Sequence, residues 1–552
     1  MSSLLTRNED QEIETEVQKA LRDMMPLESD QGDVQIDLKD VHIDKSKDDL
    51  EDNPGYINDA RAKGKSYEVP MKGTFQLKKD GEVLQEHDTK IGPYYPVVDN
   101  LGTRMINGMH YQNKFQVRRE PGIYPTRKEG DAMVEFNSQQ GGSFNFVVDA
   151  DNDDTPTLDV QVIGQSRKTV ERGVYALLKV FEVPESEIQD IMGDFYKYNH
   201  QDLSVGQAAG DAAPLDLENV TKKIFTGITP NKLQEELPEG ASFEEMAEML
   251  RDFLTDGKAF ESDVNRKTID VETEKYSAET IKQSARKLVQ TLNGRENPTH
   301  RFSEEFRRIH GIPTQLRENL KRDSKLKGKM SEAENRIDDA LQSGKTPDLS
   351  SVLSSVKGKI RNKVQSTYKN SALSTTTETN NILDIDNRGK EITIKGPGGI
   401  QSEHAIQPEN IELHPSRLGL IDVVNTPTGS PGRSMPLAKG ARIGEDGEVQ
   451  REVYDRKQGE KRIVSAQEIA EGNIGFADDF QREETEGGET YEPKQEKVYA
   501  GVGNEVKQVP EEEVRYVLPD MTDMLADGTN IVPFVHHNSG PRAIMGARQM
   551  AQ

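Results

Sequence analysis

A chain of 552 residues is too long for one hydrophobic core and points to about three or four domains. Only 33% of its residues are hydrophobic, 6% are aromatic and none is Trp, so large solvated or partner-covered surfaces are expected. The net charge of -26 excludes a simple DNA-coating protein, and zero Cys excludes disulfides, thiolate zinc sites and cysteine nucleophiles.

The first residues, Met1 to Asp10, lack the apolar run of a signal peptide. No apolar stretch approaches the roughly 20 residues needed to span a bilayer. A soluble, non-secreted protein is therefore expected, and the absence of Cys fits a reducing compartment. Residues 8–25 read as an amphipathic helix: Asn8 is a cap, Gln11 follows three later, and Ile13, Val17 and Leu21 recur every four residues. Residues 30–53 are acidic and read as loop-rich. Strand signals dominate residues 67–117, with a hairpin turn at Asp80-Gly81 and a second turn at Asn107-Gly108.

Residues 166–196 read as two helices. Val170, Val174, Leu177, Leu178 and Phe181 line the first, Pro184 breaks the pattern, and Ile188, Ile191, Met192 and Phe195 resume it. Residues 200–216 are Gly/Ala-rich and read as a loop. Ser242 with Glu245 forms a capping box, and Ile281, Ala285, Leu288 and Leu292 make a further helical stripe stopped by Gly294. From 307 to 369 the chain reads as helical and basic. Beyond Leu383 it changes to short strands and Gly/Pro turns, with a third hairpin at Asp446-Gly447 and an exposed acidic insertion over 483–497.

Few constellations carry chemistry on their own. Asp149, Asp151 and Asp153 alternate, but an EF-hand starting there needs Gly and Glu where Asp154 and Val160 stand. His536-His537 would point to opposite faces of a strand, and no second ligand cluster is evident. Gly396-Pro397-Gly398-Gly399 matches neither the phosphate loop nor the dinucleotide fingerprint, and alone is a surface turn. The cations Lys357, Lys359, Arg361 and Lys363 read as a solvated face or as a local reversal of sign suited to a phosphate backbone. Arg542 carries a planar fork suited to phosphate oxygens, or is a partly buried structural Arg paired to a carboxylate.

Order and spacing add what single motifs lack. Asn100-Leu101-Gly102-Thr103-Arg104-Met105-Ile106-Asn107-Gly108 through Gln116-Val117-Arg118-Arg119-Glu120-Pro121-Gly122 comes first. Residues 380–400 follow, ending in Lys395-Gly396-Pro397-Gly398-Gly399-Ile400. Then come His414-Pro415-Ser416-Arg417-Leu418-Gly419, Asn425-Thr426-Pro427-Thr428-Gly429, Val532-Pro533-Phe534-Val535-His536-His537 and Pro541-Arg542-Ala543-Ile544-Met545-Gly546. Together these resemble the N-terminal half of the β subunit of multisubunit DNA-dependent RNA polymerase. Divergence together with truncation resembles the split β subunits encoded by large bacteriophages. The likeness runs from about residue 70 to 552. It departs at Glu391, where the family carries a basic residue, and at Asn425 and Thr428, where it carries Glu. The first departure makes a conventional rifamycin pocket doubtful.

The resemblance implies an α+β multidomain fold. Its divisions are a protrusion over 1–124, an inserted lobe over 125–306, a second part of the protrusion over 307–380, and a fork with the start of the β core over 381–552. It implies a subunit for template-directed RNA synthesis that is inactive alone. Arg542 would contact nucleotide phosphates and Gln552 would lie near the RNA 3′ end. Arg388, Lys390, Lys395, Lys357, Lys359, Arg361 and Lys363 would face nucleic acid. Gly396, Pro397, Gly398, Gly399, His414, Pro415, Pro427 and Gly429 would build the fork loop. Mg2+ would be held mainly by a β′-like partner, with no metal site in this chain. The expected partners are a C-terminal β-like chain, β′-like chains, DNA template, RNA product, nucleoside triphosphates and a specificity factor, without a membrane. The expected setting is a host cytoplasm or a virion. The alternatives are a polymerase-derived, non-enzymatic regulator that binds host transcription proteins, and a virion structural protein.

Overall fold

Alternation of apolar and polar side chains builds the first sheet. The computed structural model describes residues 9–47, 56–99, 101–128, 130–139, 143–149, 156–163, 168–202, 213–295, 298–300, 303–377, 381–402, 414–426, 434–485, 488–503 and 505–550. Val69–Lys79 and Glu82–Tyr94 form the expected hairpin, and Asp80 (φ 48°) and Gly81 (φ 86°) supply the two left-handed residues of its tight turn. Residues 30–53 depart from the loop expectation, because Val34–Ile43 is a strand paired with Val69–Lys79. Val34, Ile36 and Leu38 alternate inward, then a bulge between Leu38 and Asp40 shifts the register so that Val41 and Ile43 point inward. That extra residue breaks the period of two and hides the strand among its charges.

The helix Glu9–Arg22 buries Ile13, Val17 and Leu21, as its spacing predicts; the capping assigned to Asn8 lies outside the described residues. Its core is shared with the first sheet and with Ile312–Lys321, Ser324–Gln342 and Ser354–Lys369. Arg307–His310 is a strand rather than the start of a helix, because it joins the sheet edge beside Phe115–Arg119. Further along, a seven-stranded sheet is built around Val449–Asp455, Tyr516–Leu518 and Ile474–Phe476. The acidic insertion is a two-stranded hairpin, Phe480–Thr485 with Gly488–Pro493, anchored by buried Tyr491.

Packing divides the chain into two units. One combines Met1–Arg118 with Phe302–Gln552; the other is Arg119–Arg301. The second unit holds a five-stranded antiparallel sheet running from Lys168–Val170 through Thr157–Val162, Phe144–Asp149 and Asp131–Asn137 to Gly122–Lys128. Its helices include Gly173–Val180, Glu185–Met192, Phe243–Thr255 with the Ser242/Glu245 capping box, and Ala278–Leu292. Val170, expected on a helix, instead lies in the edge strand opposite Val160. Residues 200–216 are not wholly loop, since Gln201–Asp202 pairs with Ala213–Pro214. Gly173 lets its helix approach the sheet closely: a Cβ there would lie 2.8 Å from Val160. The fold is α+β and multidomain. Among the described residues no helix is long and apolar enough to cross a membrane.

Asp159 sits fully buried in this unit, its Oδ1 accepting the Arg172 N–H at 2.9 Å. Burial, with Asp149 and Glu171 nearby, pushes its carboxyl up to about 6, although the Arg172 N–H and the Thr157 hydroxyl oppose the shift. A folded-state value above the unfolded one means that the native state binds the proton more tightly. Stability from this group is therefore present at low pH and lost as pH rises through about 6. Asp159→Asn should flatten the fall in unfolding free energy between pH 4 and 7, as measured by denaturant titration at each pH. An identical slope in both proteins would remove Asp159 from the pH dependence.

Candidate nucleic-acid interface

The loop at residues 396–399 is shaped by what lies under it. The strand Glu391–Thr393 runs parallel to Phe115–Arg119, with Ile392 opposite Phe115 and Thr393 opposite Gln116, and antiparallel to Met435–Pro436. Past the strand, the Gly399 N–H donates to Gly396 O at 3.0 Å and the Ile400 N–H to Ile394 O at 3.0 Å, closing a tight turn. Gln116 Nε2 donates to Lys395 O at 2.8 Å, and Arg118 Nη2 to Pro397 O at 3.0 Å. Gly398 has φ 83°, and a Cβ on it would lie 2.5 Å from the Arg118 guanidinium. Only glycine lets the loop lie flat on that guanidinium.

Arg118 in turn pairs with Glu318 on the helix Ile312–Lys321, and Arg322 reaches the same carboxylate at 3.7 Å. Arg322 keeps 63% of its side chain exposed, so the loop borders an accessible cation. Neighbouring Asp323 caps the helix Ser324–Gln342 and receives Lys363 Nζ at 3.4 Å.

The four cations of Ser354–Lys369 do not share a face. Val356, Ile360 and Val364 form the buried stripe, which places Lys357 and Arg361 along one flank and Lys359 and Lys363 along the other. Lys357 Nζ lies 3.4 Å from the Thr89 hydroxyl, whereas Lys363 faces Asp323. The second pair lies on the side of Arg322.

Arg388 and Lys390 are engaged within the chain. Arg388 Nε contacts Asp384 at 2.8 Å. Lys390 bridges Asp386 at 2.8 Å and Asp527 at 2.6 Å. Burial lowers its affinity for the proton, but the two carboxylates outweigh this and hold its pKa above the usual value. The Lys390–Asp527 bridge ties the segment after Asn381 to the end of the chain. The Asn381 side chain also donates to Met550 O at 3.1 Å. The two segments whose order suggested the resemblance are thus in contact.

His414 and Pro415 are buried in a short helical turn. His414 Nδ1 accepts the Ser416 N–H at 3.2 Å, and the Ser416 hydroxyl accepts the Glu304 N–H at 2.9 Å. Buried Glu304 receives Arg307 and Arg417, each at 3.0 Å. Pro427, Gly429 and Gln552 lie outside the described residues. His536 and His537 sit in a helical turn, Val535–His537, instead of a strand, with ring centroids 4.3 Å apart. The alternation argument therefore does not apply to them. Arg542, on the helix Gly540–Met550, is exposed, and its guanidinium contacts the Met545 sulfur at 3.7 Å.

Sequence reasoning missed the supports. Gln116 and Arg118 stood inside a quoted motif without a role, and nothing local marked Glu318, Glu304 or Asp422. Asp422 is fully buried and accepts the N–H groups of Val424 at 2.7 Å, Asn425 at 2.8 Å and Ala526 at 2.8 Å, and the Thr529 hydroxyl. It fastens the turn after Ile421 to the start of the last helical segment.

Comparison with known proteins gives the context. No family model matches the chain. A DNA-directed RNA polymerase subunit beta from Streptomyces avermitilis is 23% identical over 593 residues, covering 100% of this chain and 47% of that protein. The relatives that this chain resembles are β subunits of DNA-directed RNA polymerase. The Tropheryma whipplei subunit beta is 23% identical over 569 residues, covering 96% of the chain and 45% of the relative. The Cyanidium caldarium subunit beta reaches 30% over a shorter stretch of 175 residues, 30% of the chain and 15% of the relative. The chain spans about half the length of these β subunits where the match is complete, which fits an N-terminal half.

Asp422→Ala should orphan two buried donors, Ala526 N–H and the Thr529 hydroxyl, at a cost of about 2–6 kcal/mol. Limited proteolysis should then cut first between residues 520 and 535. Unchanged cleavage and melting would show that this carboxylate is not the fastening.

Proposed function

We propose that this chain is the N-terminal β part of a multisubunit DNA-dependent RNA polymerase and serves template-directed RNA synthesis with partner chains. The observation that carries the reading is similarity to polymerase β subunits along the whole chain. In this reading a C-terminal β-like chain and β′-like chains complete the enzyme, DNA, RNA and nucleoside triphosphates occupy it, and a specificity factor selects promoters. A bacteriophage source with a split β subunit, working in the host cytoplasm or carried in a virion, belongs to the same proposal.

The Mg2+ of a two-metal reaction would stabilise the attacking and leaving oxygens. This reading assigns the ligands to a β′-like partner. This chain's own contribution is electrostatic. Arg542 is solvent-exposed and has no carboxylate within ion-pair distance among the described residues, which leaves its donors available to phosphate oxygens. Gln552 would lie near the RNA 3′ end. The flat loop over Arg118, with Lys395, Arg322 and the Lys359/Lys363 flank, offers a basic border for a nucleic-acid backbone. Arg388 and Lys390 would act there as braces, since Asp384, Asp386 and Asp527 already neutralise them.

The first experiment is purification of the chain from its native source, with identification of copurifying proteins and assay of nucleotide incorporation. Stoichiometric β-like and β′-like chains with RNA synthesis support the proposal. A chain bound only to host polymerase, without synthesis, favours the regulatory reading. In the assembled enzyme, Arg542→Ala should lower kcat/KM for nucleotide about 10- to 150-fold, the equivalent of one charge-assisted hydrogen bond. Equal kinetics would exclude the phosphate role. Lys359→Gln with Lys363→Gln should flatten the salt dependence of template binding by about 0.9 in slope per lost contact, while Lys357→Gln with Arg361→Gln leaves it unchanged. The reverse pattern would place nucleic acid on the other flank.

A further inference from the structure

Phe534 is 75% exposed and has φ 55°, a left-handed conformation unfavourable for a bulky side chain. The turn that holds it is firmly built. The Val535 N–H donates to Val532 O at 3.2 Å, the His537 N–H to Phe534 O at 2.9 Å, and Asn538 Nδ2 to Phe534 O at 2.9 Å. Val532 anchors the turn, being buried where it meets Gly546 of the helix Gly540–Met550. The ring is therefore held outward by the backbone. His537 lies beside it, with centroids 6.4 Å apart, and His536 stacks obliquely on His537.

Charge separates this stretch of chain from the rest of the sequence. The chain carries 97 Asp and Glu against 71 Lys and Arg, yet residues 528–552 hold Arg542, Arg548, His536 and His537 and no carboxylate side chain. Arg542 and Arg548 are both exposed. An outward π face on an acid-free stretch of chain that also carries two exposed arginines is complementary to an unpaired base and its phosphates. An apolar protein partner would use Met545 and Met550 but would gain nothing from the exclusion of acids.

We propose that Phe534 is a stacking platform for an unpaired nucleobase of a single-stranded nucleic acid whose phosphates lie toward Arg542 and Arg548. The proposal rests on the polymerase reading and adds to it a base contact that its phosphate contacts do not supply.

The test uses the full-length chain and an oligodeoxynucleotide containing 2-aminopurine, whose fluorescence falls on stacking. Three proteins are compared: wild type, Phe534→Gly and Phe534→Trp. Glycine suits the left-handed backbone, so loss of binding in that variant is not loss of fold. Phe534→Gly should weaken oligonucleotide binding about 5- to 150-fold and abolish the quench, while Phe534→Trp keeps both. Free 2-aminopurine nucleoside triphosphate, run in parallel, distinguishes a strand from a lone nucleotide; quenching by the triphosphate alone overturns the strand assignment. Equal affinity and quench in wild type and Phe534→Gly overturn the proposal, as does absence of oligonucleotide binding by wild type. Loss of a copurifying polypeptide from Phe534→Gly, with oligonucleotide binding intact, identifies a protein interface and also overturns it. RNA synthesis by the purified assembly is scored separately. Synthesis without a Phe534 effect rejects stacking alone, whereas stacking by a chain that never enters a synthesising assembly rejects the polymerase reading alone.

Discussion

The strand Phe115–Arg119 is the constraint on which the larger unit depends. It lies inside a four-stranded sheet between Arg307–His310 and Glu391–Thr393. Three stretches of chain far apart in sequence, at residues 115–119, 307–310 and 391–393, are joined at this one strand, so its pairing closes very long loops. Its side chains then extend the effect. Lys114, just before it, pairs with Glu391 at 2.5 Å, Gln116 holds Lys395 O, and Arg118 holds both Pro397 O and Glu318. The loop at 396–399 owes its position to this strand as much as to its own glycines.

Buried charge does the remaining work of joining distant segments. Arg104, almost wholly buried, donates to both Glu9 oxygens at 2.6 and 2.7 Å and so ties the first helix to the sheet. Arg451 reaches Gly419 O at 2.7 Å and the Asp523 carboxylate at 3.1 Å. Burial lowers the pKa of Arg451 and raises that of Asp523, so the pair survives through its geometry and not through any preference for ionisation. Such pairs are costly to break, because the survivor is a buried charge without its counterion. In a chain of net charge -26, Lys363, Arg388 and Lys390 are already committed to carboxylates. Arg542 and Arg548 are exposed and have no carboxylate within ion-pair distance among the described residues, so a polyanion would find unneutralised charge there.

Local chemistry was legible wherever it acts over a few residues. Asp80-Gly81, Asn107-Gly108 and the turn at Gly447 form because their backbones need positive φ, and the Ser242/Glu245 box caps its helix through contacts three residues apart. Legibility failed where a tertiary partner overrode the local pattern. The bulge at Leu38/Asp40 hid a strand, and the edges offered by Val160 and Phe115–Arg119 drew Val170 and Arg307–His310 into sheets.

The sequence by itself determined the turns, the helix caps, the apolar stripes and the order of motifs that resembles a polymerase β subunit, since each depends on spacing along one chain. It could not determine which charges remain available. Lys390, Arg388 and the four cations of Ser354–Lys369 look alike as letters. Only the fold set Asp527 against Lys390 and Asp323 against Lys363, and turned Phe534 outward. The physical reason is that ionic pairing and exposure are decided by neighbours in space, and those neighbours come from strand pairings across hundreds of residues.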